Sequence, residues 1–327
     1  MKNVSILVPQ GPCILSSIIG AYKVFTTVNR TLISRGKKPA FNIQLVGISA
    51  ETSLYDGLFV VRPEVLIHEV RKTDLIIIPA IQGEIPASLK MNYAYIPWIT
   101  EQYKMGAEVA SLCTGAFILA STGLLKGKKV STHWIAADAF RQAFPDVKLQ
   151  PEKIITDELG MYSSGGAYSF LNLMIYLVEK FCGREMAVYC SKLLEIEIER
   201  KSQSPFAIFV GQKEHDDDPI RQAQLFMENN VSNKVSVDQL SDMFAISRRN
   251  FERRFKKATS NTPVEYLQRV KIEAAKKSLE SSRENINEVM YAVGYSDSKA
   301  FRTMFKKITG LSPVSYRNKY NREMAVR

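Results

Sequence analysis

The chain has 327 residues, of which 46% are apolar and 24% charged, and it carries a net charge of +11. That length favours two globular domains, and the composition excludes a mainly disordered chain. No apolar run approaches the ~18 residues of a membrane helix, and the stretch at the N-terminus is too short for a signal peptide, so no membrane partner is expected. Four cysteines (Cys13, Cys113, Cys182, Cys190) show no CxxC spacing. A reduced, cytoplasmic compartment follows, with no metal and no cofactor expected. The charge is uneven. Residues 221–327 hold 21 of the 44 Lys and Arg but only 11 of the 33 Asp and Glu, an excess of +10 that leaves +1 on residues 1–220. A basic module beside a near-neutral one is the electrostatic footprint of a nucleic-acid-binding domain joined to a partner domain.

In chain order, continuous apolar runs predict strands at 4–8, 41–48, 74–79 and 108–112. Amphipathic periodicity predicts helices at 16–28, 93–103, 132–144, 167–181 and 185–199. The last ends in a charged run, Glu195-Ile196-Glu197-Ile198-Glu199-Arg200. Apolar strands alternating with helices imply a doubly wound, mostly parallel sheet flanked by helices, a flavodoxin-like α/β fold. The expected division is an α/β domain over 1–200, a polar linker over 201–219 and an all-α domain over 220–327. Asp218-Pro219 reads as the cap and first residue of that domain's opening helix.

The last third contains an internal repeat. Displaced by 50 positions, residues 251–266 (FERRFKKATSNTPVEY) fall on residues 301–316 (FRTMFKKITGLSPVSY) with eight of sixteen identical. Each copy reads as helix, tight turn, helix. Ser236 with Gln239 and Ser247 supply the starts in copy one; Asn285 with Glu288, Gly294, and Ser296 or Asp297 supply them in copy two. Thr262-Pro263 and Ser312-Pro313 open the helices that follow, and 263–280 reads as one helix joining the copies. Phe251, Phe255 and Ala258 recur at helical spacing, as do Phe301, Phe305 and Ile308, and are expected to form core. The opposite stripes carry Arg249, Glu252, Arg253 and Lys256 in one copy, with Arg248 at its start, and Lys299, Arg302, Thr303 and Lys306 in the other, with Ser298 at its start. A solvated face also looks like this. Two facts favour double-stranded DNA as partner: the stripe repeats in register, and it lies where the charge excess lies. Arg and Lys on such helices read guanine edges in the major groove while flanking Lys hold phosphates. A joining helix of 18 residues spans ~27 Å, which suits two recognition helices about one DNA turn, ~34 Å, apart.

Residues 235–320 resemble the AraC/XylS-type DNA-binding domain. The matching signature is Gly294-Tyr295-Ser296-Asp297, Phe301, Phe305-Lys306-Lys307, Thr309-Gly310, Ser312-Pro313 and Tyr316-Arg317. The resemblance implies base contacts from the stripes just named. Copy one departs in being one residue shorter at the turn and in having Ser260-Asn261 where copy two has Gly310-Leu311.

In the first domain, Ala110-Ser111-Leu112-Cys113-Thr114-Gly115-Ala116-Phe117 runs from a strand through small residues into a helix. That is the layout of a nucleophile elbow, with a backbone N–H available to an oxyanion and a helix N-terminus expected to lower the thiol pKa. His133, in Ser131-Thr132-His133-Trp134, is a candidate base or ligand contact. These residues, with Gly123-Leu124-Leu125, Gly127 and Ser163-Ser164-Gly165-Gly166, resemble the ThiJ/PfpI branch of the glutamine-amidotransferase-like superfamily over roughly residues 3–195. Fused to an AraC-type domain, the chain is similar to the GlxA-type subfamily of transcriptional regulators. That resemblance implies a small-molecule effector, amino-acid-derived in many members, and a homodimer. It also implies a ligand site at Gln82, Gly83, Cys113, Thr114 and His133. Three departures argue against catalysis. Pro9-Gln10-Gly11-Pro12-Cys13 has no acid, Thr114 follows the cysteine where protease-like members have His, and Ala80-Ile81-Gln82-Gly83 keeps one glycine. Cys113 and His133 are then vestigial, and the expectation is a DNA-binding regulator. The alternative is a cysteine-dependent amidase or glyoxalase-like enzyme with an accessory DNA-binding domain.

Overall fold

The computed structural model describes residues 1–198 and 202–321. It forms two compact units, Met1–Gln203 and the remainder from Ser204. The expected boundary at 200/201, Glu199-Arg200 at the end of the charged run, and residues 322–327 of the second domain lie outside the described residues.

The first unit contains eleven strands among its described residues. They are β1 (Lys2–Val8), β2 (Phe41–Gly47), β3 (Thr52–Leu54), β4 (Phe59–Val61), β5 (Val65–Leu66), β6 (Leu75–Ile78), β7 (Glu108–Leu112), β8 (Lys129–Val130), β9 (Lys148–Leu149), β10 (Ile155–Glu158) and β11 (Met161–Ser164). Seven make one sheet in the order β10-β11-β7-β6-β1-β2-β5. Only β10–β11 is antiparallel within it. Its helices are α1 (Leu15–Ser34), α2 (Ile85–Met91), α3 (Tyr95–Lys104), α4 (Ala116–Ser121), α5 (Ala137–Ala143), α6 (Phe170–Cys182) and α7 (Arg184–Leu193). Successive strand residues serve opposite cores, because side chains alternate across a strand. Val4, Ile6, Leu75, Ile77, Ala110 and Leu112 pack with α1, α6 and α7. Leu7, Ile76, Ile78 and Val109 pack with α3, α4 and Phe140. Both faces are thus covered, which is why the central strands read as unbroken apolar runs.

Several boundaries differ from the sequence expectation. The helix expected over 132–144 is a 3-10 turn, Trp134–Ala136, followed by α5, because the Thr132 hydroxyl is drawn to the distant Cys113 O and His133 caps the 3-10 turn by accepting from Ile135 N–H. The helix expected to reach Glu199 ends at Leu193, and Glu195 adopts a left-handed φ of 52°. The strands β8 to β11 carry no apolar run: β11 is Met-Tyr-Ser-Ser, and its serines are held by hydrogen bonds from Ser131 N–H and Cys113 N–H and by one shared between the Ser163 and Thr156 hydroxyls.

Among its described residues the second unit is helical: α8 (Asp218–Asn229), α9 (Val237–Met243), α10 (Arg248–Thr259), α11 (Pro263–Ser281), α12 (Ile286–Ala292), α13 (Ser298–Thr309) and α14 (Pro313–Tyr320). Asp217, not Asp218, caps α8, accepting from Ile220 N–H. Ser236 accepts from Gln239 N–H, but the reciprocal bond of a capping box is absent there; both bonds are present at Thr262/Glu265 and Asn285/Glu288. Ser247 occupies its cap position without a side-chain bond, whereas Asp297 accepts from Lys299 and Ala300 N–H. The repeat is visible in packing. Phe251, Phe255 and Tyr266 centre one cluster with Ile220, Met227 and Leu240; Phe301, Phe305 and Tyr316 centre the other with Val289, Met290 and Leu279. The long helix α11 feeds both, giving Val270 to the first and Ile272, Ala275 and Leu279 to the second. Between its two helices copy one has four residues, with left-handed Ala245 (φ 52°); copy two has five, with Gly294 (φ 73°).

Candidate functional site

The second helix of each copy is built to present its polar stripe. In α10, Phe251 and Phe255 are fully buried, while Arg248, Arg249, Arg253 and Lys256 are exposed and Glu252 is half-buried. In α13, Phe301 and Phe305 are fully buried, Lys299, Arg302, Thr303 and Lys306 are exposed, and Ser298 is half-buried. The stripes are not equivalent in charge pairing. Arg248 is held by both carboxylate oxygens of Asp238 at 3.0 Å and by Glu252 at 3.2 Å. Arg253 donates to Asn250 Oδ1 at 2.8 Å. Lys299, Arg302 and Lys306 have no carboxylate partner among the described residues. Arg254, on another side of α10, makes a two-pronged contact with Asp217 at 2.9 and 2.7 Å, which holds that carboxyl below its usual range.

The elbow lies where β7 meets a 3-10 turn, Cys113–Gly115, that runs into α4. Cys113 takes φ 54°, a left-handed conformation that a non-glycine residue holds only when its surroundings enforce it. Those surroundings are specific. The Thr132 hydroxyl donates to Cys113 O at 2.9 Å, Cys113 N–H donates to Ser164 Oγ at 3.3 Å, and the Thr114 hydroxyl donates to Ile81 O at 2.6 Å. A Cβ on Gly115 would lie 2.5 Å from Ile78 O and 2.6 Å from Pro79 O, so glycine alone lets the turn close onto β6. The expected effect of a helix N-terminus on the thiol is overturned: Cys113 is 2% exposed, and burial pushes its pKa up to about 11 despite hydrogen bonds from Thr114 and His133 that work the other way.

The other predicted ligand residues sit on neighbouring strand ends. Gln82 and Gly83, both exposed, follow β6, and Gln82 N–H donates to Pro12 O at 2.8 Å, pairing this loop with the one after β1. His133 is half-buried, its Nδ1 accepts from Ile135 N–H at 3.1 Å, and burial lowers its pKa. In the acid-free stretch after β1, Gln10 spends its amide on Ser49 and Thr52 hydroxyls, each at 2.6 Å. One residue has no counterpart in the sequence expectation. Gln203, 1% exposed, accepts from Gly166 N–H at 2.8 Å and donates to Thr132 O at 2.8 Å, bracing the loop that carries His133. It lies in a stretch that reads as linker, and a lone glutamine there gives no signal. Among the described residues no group of three or more His, Cys, Asp or Glu is placed to hold a metal. No described helix is long and apolar enough to cross a membrane.

A thiol so buried is expected to alkylate at pH 8 about two orders of magnitude more slowly than a free cysteine of pKa ~8.5. Mass-spectrometric timing of iodoacetamide labelling on the folded chain checks this, and free-thiol kinetics at Cys113 would contradict the burial account.

Together these features define a protein of two parts: a doubly wound α/β domain with a cysteine at a strand-to-helix elbow, and a tandem helix-turn-helix domain. A family model described as the DJ-1/PfpI family matches residues 31–180, and one described as a helix-turn-helix domain matches residues 240–319. Domain by domain, the chain thus combines a part similar to the DJ-1/PfpI family with a part similar to AraC-type helix-turn-helix domains. The HTH-type transcriptional regulator GbdR of Pseudomonas aeruginosa is 25% identical over 235 residues, which is 71% of this chain and 63% of that protein. The HTH-type transcriptional regulator ArgR of the same species is 27% identical over 216 residues, 66% of this chain and 65% of that one. The chain thus spans less than two thirds of the length of these relatives. The fold of a ThiJ/PfpI family protein from Pseudomonas syringae matches with a TM-score of 0.51 at 16% identity, covering 70% of this chain and 86% of that structure.

Proposed function

We propose that the chain is a sequence-specific, DNA-binding transcriptional regulator whose first domain binds a small metabolite. The observation that carries this is the pair of exposed cationic stripes, on α10 and α13, repeated in register over two separate aromatic cores. Each stripe fits a major groove, with α13 bringing Lys299, Arg302 and Lys306 unencumbered by carboxylates of the described residues. The names of GbdR and ArgR support the same reading. Effector binding is assigned to the strand-end loops at Gln82, Gly83, Cys113, Thr114 and His133, the position where open α/β sheets take ligands. Amino acids, their betaines and related amines are the compounds to screen first. A homodimer would suit a paired operator. The buried, protonated thiol and the diverted Gln10 favour a binding elbow over a catalytic one.

The test is fluorescence anisotropy of the full chain on labelled duplex across a salt series. Six or more phosphate contacts imply a loss of roughly a thousandfold or more between 50 and 200 mM salt. No binding at 50 mM, or binding indifferent to salt, would sink the proposal.

A further inference from the structure

Lys271 lies in the middle of α11, where a helix of this composition ordinarily turns its lysines to water. It is instead 7% exposed and has no carboxylate partner among the described residues. Its ammonium donates to backbone carbonyls only: Val293 O at 3.0 Å, Asn233 O at 3.1 Å and Gly294 O at 3.5 Å, with the Tyr295 ring 5.9 Å away. Three N–H donors meet three acceptors, which is what makes the burial tolerable. Desolvation nevertheless lowers its pKa.

Those acceptors belong to two different places in the chain. Val293 and Gly294 form the turn between α12 and α13, the second helix-turn-helix. Asn233 belongs to the loop between α8 and α9 that leads into the first. Two further observations put the same segments together. A Cβ on Gly294 would lie 2.4 Å from Ser232 O and 2.5 Å from Lys271 Nζ, so the loop backbone rests on the turn. Val231, in that loop, packs against both aromatic clusters. Here one copy grips the other through backbone as well as side chains.

We propose that Lys271 is a positioning residue for DNA reading: it clamps the loop entering the first helix-turn-helix onto the turn of the second, and thereby sets the spacing and rotation of the two half-sites the chain accepts. The inference rests on the DNA-binding reading above. One base pair inserted between half-sites displaces them by ~3.4 Å and rotates one against the other, and only a rigid pair of recognition helices penalises that fully. Loosening the clamp leaves both stripes intact and relaxes the penalty.

The experiment uses the full chain and a duplex selected from a random-sequence library by the wild-type protein, remade with one base pair added or removed between the two protected segments. Wild type is expected to lose about tenfold or more in affinity on either change, on the scale of a mismatched contact. Lys271→Met, with an unfolding midpoint measured alongside, is expected to lose less than about threefold on the same changes. Lys271→Gln, which keeps one donor group and cannot reach all three carbonyls, should fall between them and carries the test should the methionine variant not fold. Spacing sensitivity equal to wild type in a folded variant overturns the clamp and leaves the DNA-binding reading standing. A wild-type chain that selects no duplex overturns both.

Discussion

The full-length chain carrying Arg302→Ala is expected to bind its selected duplex roughly 5- to 150-fold more weakly, a loss of ~1–3 kcal/mol, and to lose discrimination at a single base pair. Arg302 is exposed on the outer stripe of α13, one helical turn from Lys299 and Lys306, and no carboxylate among the described residues satisfies its guanidinium. A free fork of that kind makes two parallel hydrogen bonds to a guanine edge, and alanine leaves the base unread. Lys306→Ala is the companion measurement. Lost phosphate contact weakens binding to all sequences alike and reduces the salt slope by about one. Arg254→Ala is the control, because its guanidinium is already committed to Asp217. Competition binding against a panel of single-base variants separates these outcomes. An Arg302→Ala protein that loses affinity equally for every variant would contradict a base-reading role.

Phe305→Ala is expected to destabilise the second unit by about 3–5 kcal/mol. The ring is fully buried, 5.8 Å from Phe301 and 5.4 Å from Tyr316 between ring centres, in the cluster that seats α13 on α11. Truncation removes a central contact that holds the recognition helix in place, and the space cannot be filled by neighbours fixed on three helices. Val314→Ala, at a residue 53% exposed, should change stability by less than ~0.5 kcal/mol. Urea unfolding of the whole chain, followed by far-UV dichroism, measures both. A Phe305→Ala protein as stable as the valine control would mean that copy two is not organised around this ring.

Which features the sequence makes legible depends on how local the determining interaction is. Caps bond a side chain to backbone two or three residues away, so Thr262, Asn285 and Ser312 are readable from the chain alone. Asp217 and Asp218 are adjacent acids before a proline, and only three-dimensional geometry chooses between them. The central strands β1, β2, β6 and β7 are readable because both faces are buried. The strand β11 is not, since its buried serine hydroxyls are satisfied by Ser131 and Cys113, residues distant in the chain. The Cys113 thiol defeats sequence reasoning for a related reason: proximity to a helix start is a sequence property, whereas its burial is a tertiary one and here outweighs it. Lys271 and Gln203 give no sequence signal because each is a polar residue at an ordinary-looking position, defined only by carbonyls brought from elsewhere.

The unequal turns bear on how this domain tolerates insertion and exchange. In both copies the left-handed residue, Ala245 or Gly294, lies two positions past the end of the first helix; the extra residue of copy two comes after it. One residue is about 100° of helix rotation, yet both recognition helices bury their phenylalanines and face their cations outward. The added length is therefore absorbed in the lead-in to the helix and not by turning it. A crossover made just after the left-handed residue would carry each recognition helix with its own lead-in, whereas one made by the 50-residue offset at the helix start would strip Asp297 from α13. In β6, by contrast, a single inserted residue would send Leu75 and Ile77 to the opposite core. The repeat is thus a cassette with a seam just after its left-handed residue, and β6 offers no such seam.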